Sequence, residues 1–251
     1  TEWVKLFDTI QPKPEESNLP LPLPKDSSNV YFLTWEWNDL ENIKQSIRFS
    51  FEKNSLAMAT ENRLKGPVEN DFSNFHPIYA HLYKHDRVLL ADMIASFKKS
   101  IKAKNLSFLE SLNYVVSSIQ HIPYTLVVEK PCPFKDYNQP CKALPNNKGC
   151  CGNVMPFGVY SPFEFVYNKT GDCDTRALLA YTILKELGYD VAVMVSYDRE
   201  HAVLGVANFG SITGSYGVNS FGKKYFLWEL TTKGMHLGQG VEGSDWLATL
   251  E

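Results

Sequence analysis

From Asp174 to Leu187 the chain reads "DTRALLAYTILKEL". Ala177, Leu178, Ala180, Tyr181, Leu184 and Leu187 recur at helical spacing, and Gly188 is placed for the C′ position, so a helix with a wide apolar face is predicted here. Three β-rich runs follow, "DVAVMVSY", "HAVLGVAN" and "KKYFLWELT", with "GSITGSYGVNSFG" as a long turn or hairpin insertion before the last. Helices in the first half and strands running toward the end predict an α+β domain in which helices pack on an antiparallel β-sheet.

The upstream half is consistent with that plan. Residues 1–28 include "QPKPEESNLPLPLPKDSS", a proline-rich polar stretch that reads as an extended arm or linker, leaving 29–251 as one domain. "NVYFLTWEW" and "SIRFSFE" alternate as paired strands would. "DRVLLADMIASFKKSIKAKN" carries Val88, Leu89, Met93, Ile94 and Phe97 at helical spacing. "LSFLESLNYVVSSIQHI" is a further helix, opened by a Ser107–Glu110 capping box. Residues 130–160 form a long irregular insertion, which needs staples or a function.

A net charge of −3 leaves no electrostatic footprint for nucleic acid, and runs such as "ALLAYTIL" fall short of the roughly 20 apolar residues that span a bilayer. The first residue is Thr rather than Met, so an upstream leader or membrane tether is expected.

Of five cysteines, Cys132, Cys141, Cys150 and Cys151 cluster in the insertion and Cys173 stands apart. Two disulfides and one free thiol are expected, and hence a secreted, periplasmic or cell-surface location. A Cys150–Cys151 bridge would be strained, so each is expected to pair with Cys132 or Cys141. The alternatives are a zinc site, which the spacing without a Cys-x-x-Cys pair suits poorly, and four reduced thiols. His76, His81 and His85 lack the accompanying carboxylate motif of a zinc enzyme, and Pro77 interrupts the run, so no metal and no cofactor is expected.

Cys173 opens the predicted helix in "KTGDCDTR". A helix N-terminus presents unpaired N–H groups that stabilise a thiolate and lower the thiol from its free value of about 8.5. A nucleophilic thiol needs a base and a group to orient it. His201 opens the second following strand and Glu229 lies in the third, with Asp198 and Asn208 as rivals for the acid. Asp172 and Asp174 favour the helix start by charge and would oppose ionisation of the thiol, so neither is given a catalytic role. Taken singly, Cys173 would be a buried structural thiol and His201 a satisfied polar residue.

"GDCDTRALLAYTILKELGYDV" resembles the cysteine motif of the transglutaminase-like cysteine protease superfamily, and "EHAVLGV" and "YFLWELT" resemble its histidine and acidic strands. "SIQHIPYT" and "YSPFEFVYNKTGDC" resemble its upstream motifs in bacterial members, so the resemblance covers about 110–251. It implies a papain-like arrangement with the nucleophile at the N-terminus of a core helix, and acyl transfer through a thioester on a protein or peptide substrate. By that match Cys173 is the nucleophile, His201 the base and acid, and Glu229, where the family more often has aspartate, the orienting acid. The backbone N–H of Cys173 and the Gln120 amide would meet the oxyanion. Hydrolysis, as a peptidase or amidase, is the expectation, with protein cross-linking and a non-catalytic binding or scaffolding module as the other readings.

Overall fold

The computed structural model describes residues 29–67, 75–128, 151–207, 214–243 and 245–251. The expected arm and most of the cysteine-rich insertion, with Cys132, Cys141 and Cys150, lie outside these residues, as does the side chain of Cys151. The expected disulfides therefore also lie outside them.

The chain is α+β. Strands β1 (Val30–Asn38) and β2 (Lys44–Glu52) form an antiparallel hairpin in which Trp35 faces Ile47. Period-2 alternation puts Trp35, Trp37, Ile47 and Phe49 on the buried face, where the Trp37 indole donates to Ser117 Oγ at 3.1 Å. Helix α1 (Ser55–Leu64) follows, then α2 (His76–Leu89) and α3 (Ala91–Lys104). The apolar run expected to give one helix through residues 86–105 thus gives the end of α2 and all of α3. The two meet at Leu90, which is buried and has φ −90° and ψ 4°, with neither Gly nor Pro at the joint. The bend lets α2 pack on the later helices while α3 packs on β2.

Near the end of α2, Asp86 is wholly buried and accepts a hydrogen bond from Phe163 N–H at 2.7 Å. Burial raises its carboxyl to about 7, against the opposing bonds from Ser161 and Phe163.

Helix α4 (Phe108–Gln120) starts at the expected Ser107–Glu110 capping box. Strands β3 (Leu126–Val128) and β4 (Cys151–Val154) pair in parallel. Helix α5 (Pro162–Asn168) opens on a second capping box, Ser161 with Glu164; Glu164 also takes the buried Arg63 guanidinium at 2.8 Å.

Helix α6 (Cys173–Glu186) is the core helix, covered by α2, α4 and α5 on one side and by strands on the other. It ends as the sequence predicts: Leu187 is the C-cap and Gly188 sits at φ 89°. Gly188 N–H donates to Lys185 O at 3.0 Å and Tyr189 N–H to Leu184 O at 2.9 Å, a Schellman closure.

The strands differ from the papain-like antiparallel sheet that was expected. Strands β5 (Val191–Ser196), β6 (His201–Ala207), β7 (Tyr216–Val218), β8 (Lys224–Trp228) and β9 (Leu247–Leu250) close into a barrel in the order β5-β6-β8-β7-β9, and β7 and β9 pair in parallel. Val191, Val193, Val195, Ala202, Leu204 and Val206 turn outward onto the helices. Ala192, Met194, Val203, Ala207, Tyr225, Leu227 and Trp246 form a second core. A five-stranded barrel is narrow, and glycines keep it open to Met194. A Cβ at Gly205 would lie 2.6 Å from Met194 Cγ, and one at Gly217 2.5 Å from Met194 Cε. Among the described residues no helix is long and apolar enough to cross a membrane.

Candidate active site

Asp172 builds the mouth of α6. It is the N-cap, its Oδ1 accepting from Thr175 Oγ1 at 2.9 Å and Thr175 N–H at 3.4 Å, and its Oδ2 accepts from Val127 N–H at 3.0 Å. One carboxyl therefore ties the helix start to β3. Gly171, just before it, accepts from Thr125 N–H at 3.1 Å. A side chain there would meet the Phe165 ring, its Cβ 2.7 Å from Cδ2, so the Gly-x-Cys spacing has a steric basis in this fold.

Cys173 occupies the first helical position and is buried. The backbone N–H groups of Ala202 and Asp174 act on its thiol, and α6 packs on β6, the strand that His201 opens. His201 Nε2 lies 2.8 Å from Glu229 Oε2. That contact commits Nε2 to the carboxylate and leaves Nδ1 as the other nitrogen of the ring. Trp246 meets the imidazole edge-on, with ring centroids 6.0 Å apart. Glu229 Oε1 accepts from both the N–H and the hydroxyl of Thr231 at 2.7 Å. Burial would raise the Glu229 carboxyl, but the bond to His201, its charge and the Thr231 bonds outweigh that and leave it below the usual range.

The thiol's electrostatics reverse the expectation of a depressed pKa. Burial pushes Cys173 well up, Asp174 and then Asp172 push the same way, and the two backbone N–H bonds only partly oppose them. The helix-terminus effect acts over one turn, whereas desolvation at this depth is larger. Asp172 is itself raised to about 7 by burial and by Asp174. Asp174 is raised by burial, against a 2.5 Å hydrogen bond from Tyr79 Oη and the opposing effect of His201.

Gln120 lies close to the acid but is turned away from the oxyanion role. Its Nε2 donates to Glu229 O at 2.8 Å and Met235 O at 2.9 Å, which uses both amide hydrogens, and its Oε1 accepts from Gly234 N–H at 3.2 Å. It braces the 229–235 segment. Of the rival acids, Asp198 is exposed in the β5–β6 turn and Asn208 lies outside the described residues. Tyr160 and Trp228 are buried in the core. His81 Nε2 meets Asn62 O, and His76 Nδ1 meets Thr249 O, each at 2.6 Å.

Two participants are absent from the sequence-level site. Tyr79 reaches Asp174 from α2, and nothing in its local sequence marks it. Arg176 is wholly buried in α6, and a lone arginine inside "CDTRALLAY" is the signal that could have found it, since buried arginines need partners.

No protein-family model matches the chain, and no curated protein matches it. Among solved structures it is similar to one described as "a Putative Cysteine Protease from Cytophaga hutchinsonii", with a TM-score of 0.31 and 10% identity over 87% of this chain and 73% of that one.

Proposed function

We propose that this protein is a thiol-dependent acyl-transfer enzyme that hydrolyses amide bonds of a protein or peptide, with Cys173 as nucleophile, His201 as general base and acid, and Glu229 as the orienting acid. The observation that carries the reading is the 2.8 Å His201–Glu229 contact at the start of β6, the strand on which the Cys173 helix packs and whose next N–H, that of Ala202, acts on the thiol. A thiol held neutral by its surroundings is not a standing thiolate. It is ionised by proton transfer to the imidazole, and Glu229, fixed by Thr231 and Gln120, stabilises the imidazolium so formed.

The steps balance. The Cys173 proton moves to His201 Nδ1 as the sulfur adds to the amide carbonyl. The developing oxyanion is met by the Cys173 backbone N–H, a first-turn donor that the helix ladder does not use. Collapse breaks the C–N bond, His201 returns the proton to the leaving amine, and a thioester remains. Water, deprotonated by His201, then releases the acid and restores the thiol. We further propose an oxidising location, on the four cysteines clustered between residues 132 and 151.

The test is hydrolysis of fluorogenic peptide amides, paired with intact-mass reading of iodoacetamide labelling without reductant. Turnover lost in Cys173→Ala, and reduced by about 10²-fold or more in His201→Ala, is the expected result. Labelling confined to Cys173 fits the disulfides. An inert wild type whose thiol profile ignores His201→Ala overturns the enzyme reading and favours a binding module.

A further inference from the structure

Arg176 lies one helical turn beyond Cys173 and is 0% exposed. All four of its hydrogen bonds go to backbone carbonyls: Nε to Gly171 O at 3.3 Å, Nη1 to Ile119 O at 2.9 Å and Leu230 O at 3.3 Å, and Nη2 to Ile122 O at 2.6 Å. The rings of Tyr124 and Phe165 lie against the guanidinium carbon at 5.7 and 5.8 Å.

The identity of those carbonyls matters. Gly171 precedes the thiol turn, Ile119 precedes Gln120, Leu230 follows Glu229, and Ile122 begins the segment that runs past Tyr124 to β3. Asp172 and Gly171 tie the thiol turn to the 125–127 segment, and Gln120 ties the end of α4 to Glu229; Arg176 bonds all of these elements from one side chain. A planar fork with five N–H donors can satisfy carbonyls in several directions at once, which an ammonium on a flexible stem cannot do in the same fixed geometry. A simple packing role does not explain an arginine here, because a buried cation is costly to desolvate and an apolar side chain would pack without that cost.

We propose that Arg176 is a positioning residue of the thiol site, holding the Cys173 turn, the end of α4 and the Glu229–Leu230 segment in one register while its charge favours the ionised thiol. This rests on the proposed function for its catalytic consequence, but not for its effect on the thiol. Burial lowers Arg176 to about 10, and Tyr124, Asp172, Cys173 and Glu229 pull it back up, so the guanidinium favours the ionised form of each of these neighbours. Asp172, Asp174, Tyr79 and Tyr124, which interact with the thiol, are acids or phenols, and His201 opens the strand beside them. Arg176 supplies a permanent positive charge among them.

The test compares wild type with Arg176→Gln and Arg176→Lys. Iodoacetamide labelling of Cys173 is followed against pH by intact mass, and kcat and KM are measured on a peptide amide that wild type cleaves. Circular dichroism establishes folding. The labelling profile moves to higher pH in both variants and further in Arg176→Gln, where the rate near neutrality drops about tenfold. In both, kcat falls and KM holds within about twofold. The lysine variant keeps the charge and loses the fork, so it carries the test where the glutamine variant does not fold. A folded Arg176→Lys with a profile and kcat superimposable on wild type overturns the proposal. A shifted profile in a protein that cleaves no amide leaves Arg176 in place and overturns the enzyme reading instead.

Discussion

His201 Nε2 and Glu229 Oε2 stand 2.8 Å apart, the one on the first residue of β6 and the other just past the end of β8. The strands between them are paired, Leu204 against Trp228, so barrel hydrogen bonds set the separation of imidazole and carboxylate. Glutamate suits this place because its other oxygen is held by Thr231. Shortening it by a methylene breaks one of the two contacts. Glu229→Asp is therefore expected to lower kcat about tenfold or more, and Glu229→Gln further, because an amide cannot stabilise an imidazolium by charge. Steady-state kinetics on a peptide amide, with melting temperature as a control for folding, checks this.

Asp174 flanks the thiol, and its charge opposes ionisation of Cys173. In Asp174→Asn that repulsion is gone while an oxygen remains to accept from Tyr79. The pH profile of Cys173 labelling should move to lower pH, the direction opposite to that of the Arg176 variants. A shift to higher pH, or none, would show that the carboxylate does not bear on the thiol.

Asp86 makes stability depend on pH. Its folded carboxyl is raised to about 7 against an ordinary 3.8. Between those values the folded state keeps a proton that the unfolded chain has lost, so stability falls as pH rises from about 4 to about 7 and levels above. The full cost of holding the ion is on the order of 4 kcal/mol. Asp86→Asn should flatten this slope, gaining on wild type between pH 5 and pH 8 in urea denaturation. A slope unchanged by the substitution would refute the assignment.

Gly205→Ala puts a methyl against Met194 Cγ and Tyr225 Cβ, where the ideal separations are 2.6 and 2.9 Å. Overpacking of this kind costs about 1–3 kcal/mol. Phe221, 92% exposed at the β7–β8 turn, serves as the contrast: Phe221→Ser is expected to stay within about 0.5 kcal/mol of wild type. Chemical denaturation of both variants measures the difference.

What could be read from the sequence was local. The Ser107–Glu110 box and the Leu187–Gly188 closure depend on residues a turn apart, and the β5, β6 and β8 runs are long enough to show their type. The bend at Leu90 could not be read, since it is imposed by what α2 and α3 each pack against rather than by a breaker residue. Barrel closure was equally hidden, because β7 and β9 are three- and four-residue strands and β9 pairs with β5 and β7, far back in the sequence. For Cys173, Gly171 and the helix start were visible, but the direction of its acidity was set by depth and by Asp174. Gln120 was expected at the oxyanion, yet its amide is spent on the carbonyls of Glu229 and Met235, which no side-chain pattern could reveal.

The barrel is closed by β9, and Trp246, just before it, shelters the imidazole. The thiol helix and the histidine strand are made long before that segment. A nascent chain exposing Cys173 and His201 thus lacks both the pairing that completes the barrel and the ring that shields the base until residues 246–250 have joined. Closure of the barrel, and the ring contact on His201, therefore come last in the order of synthesis.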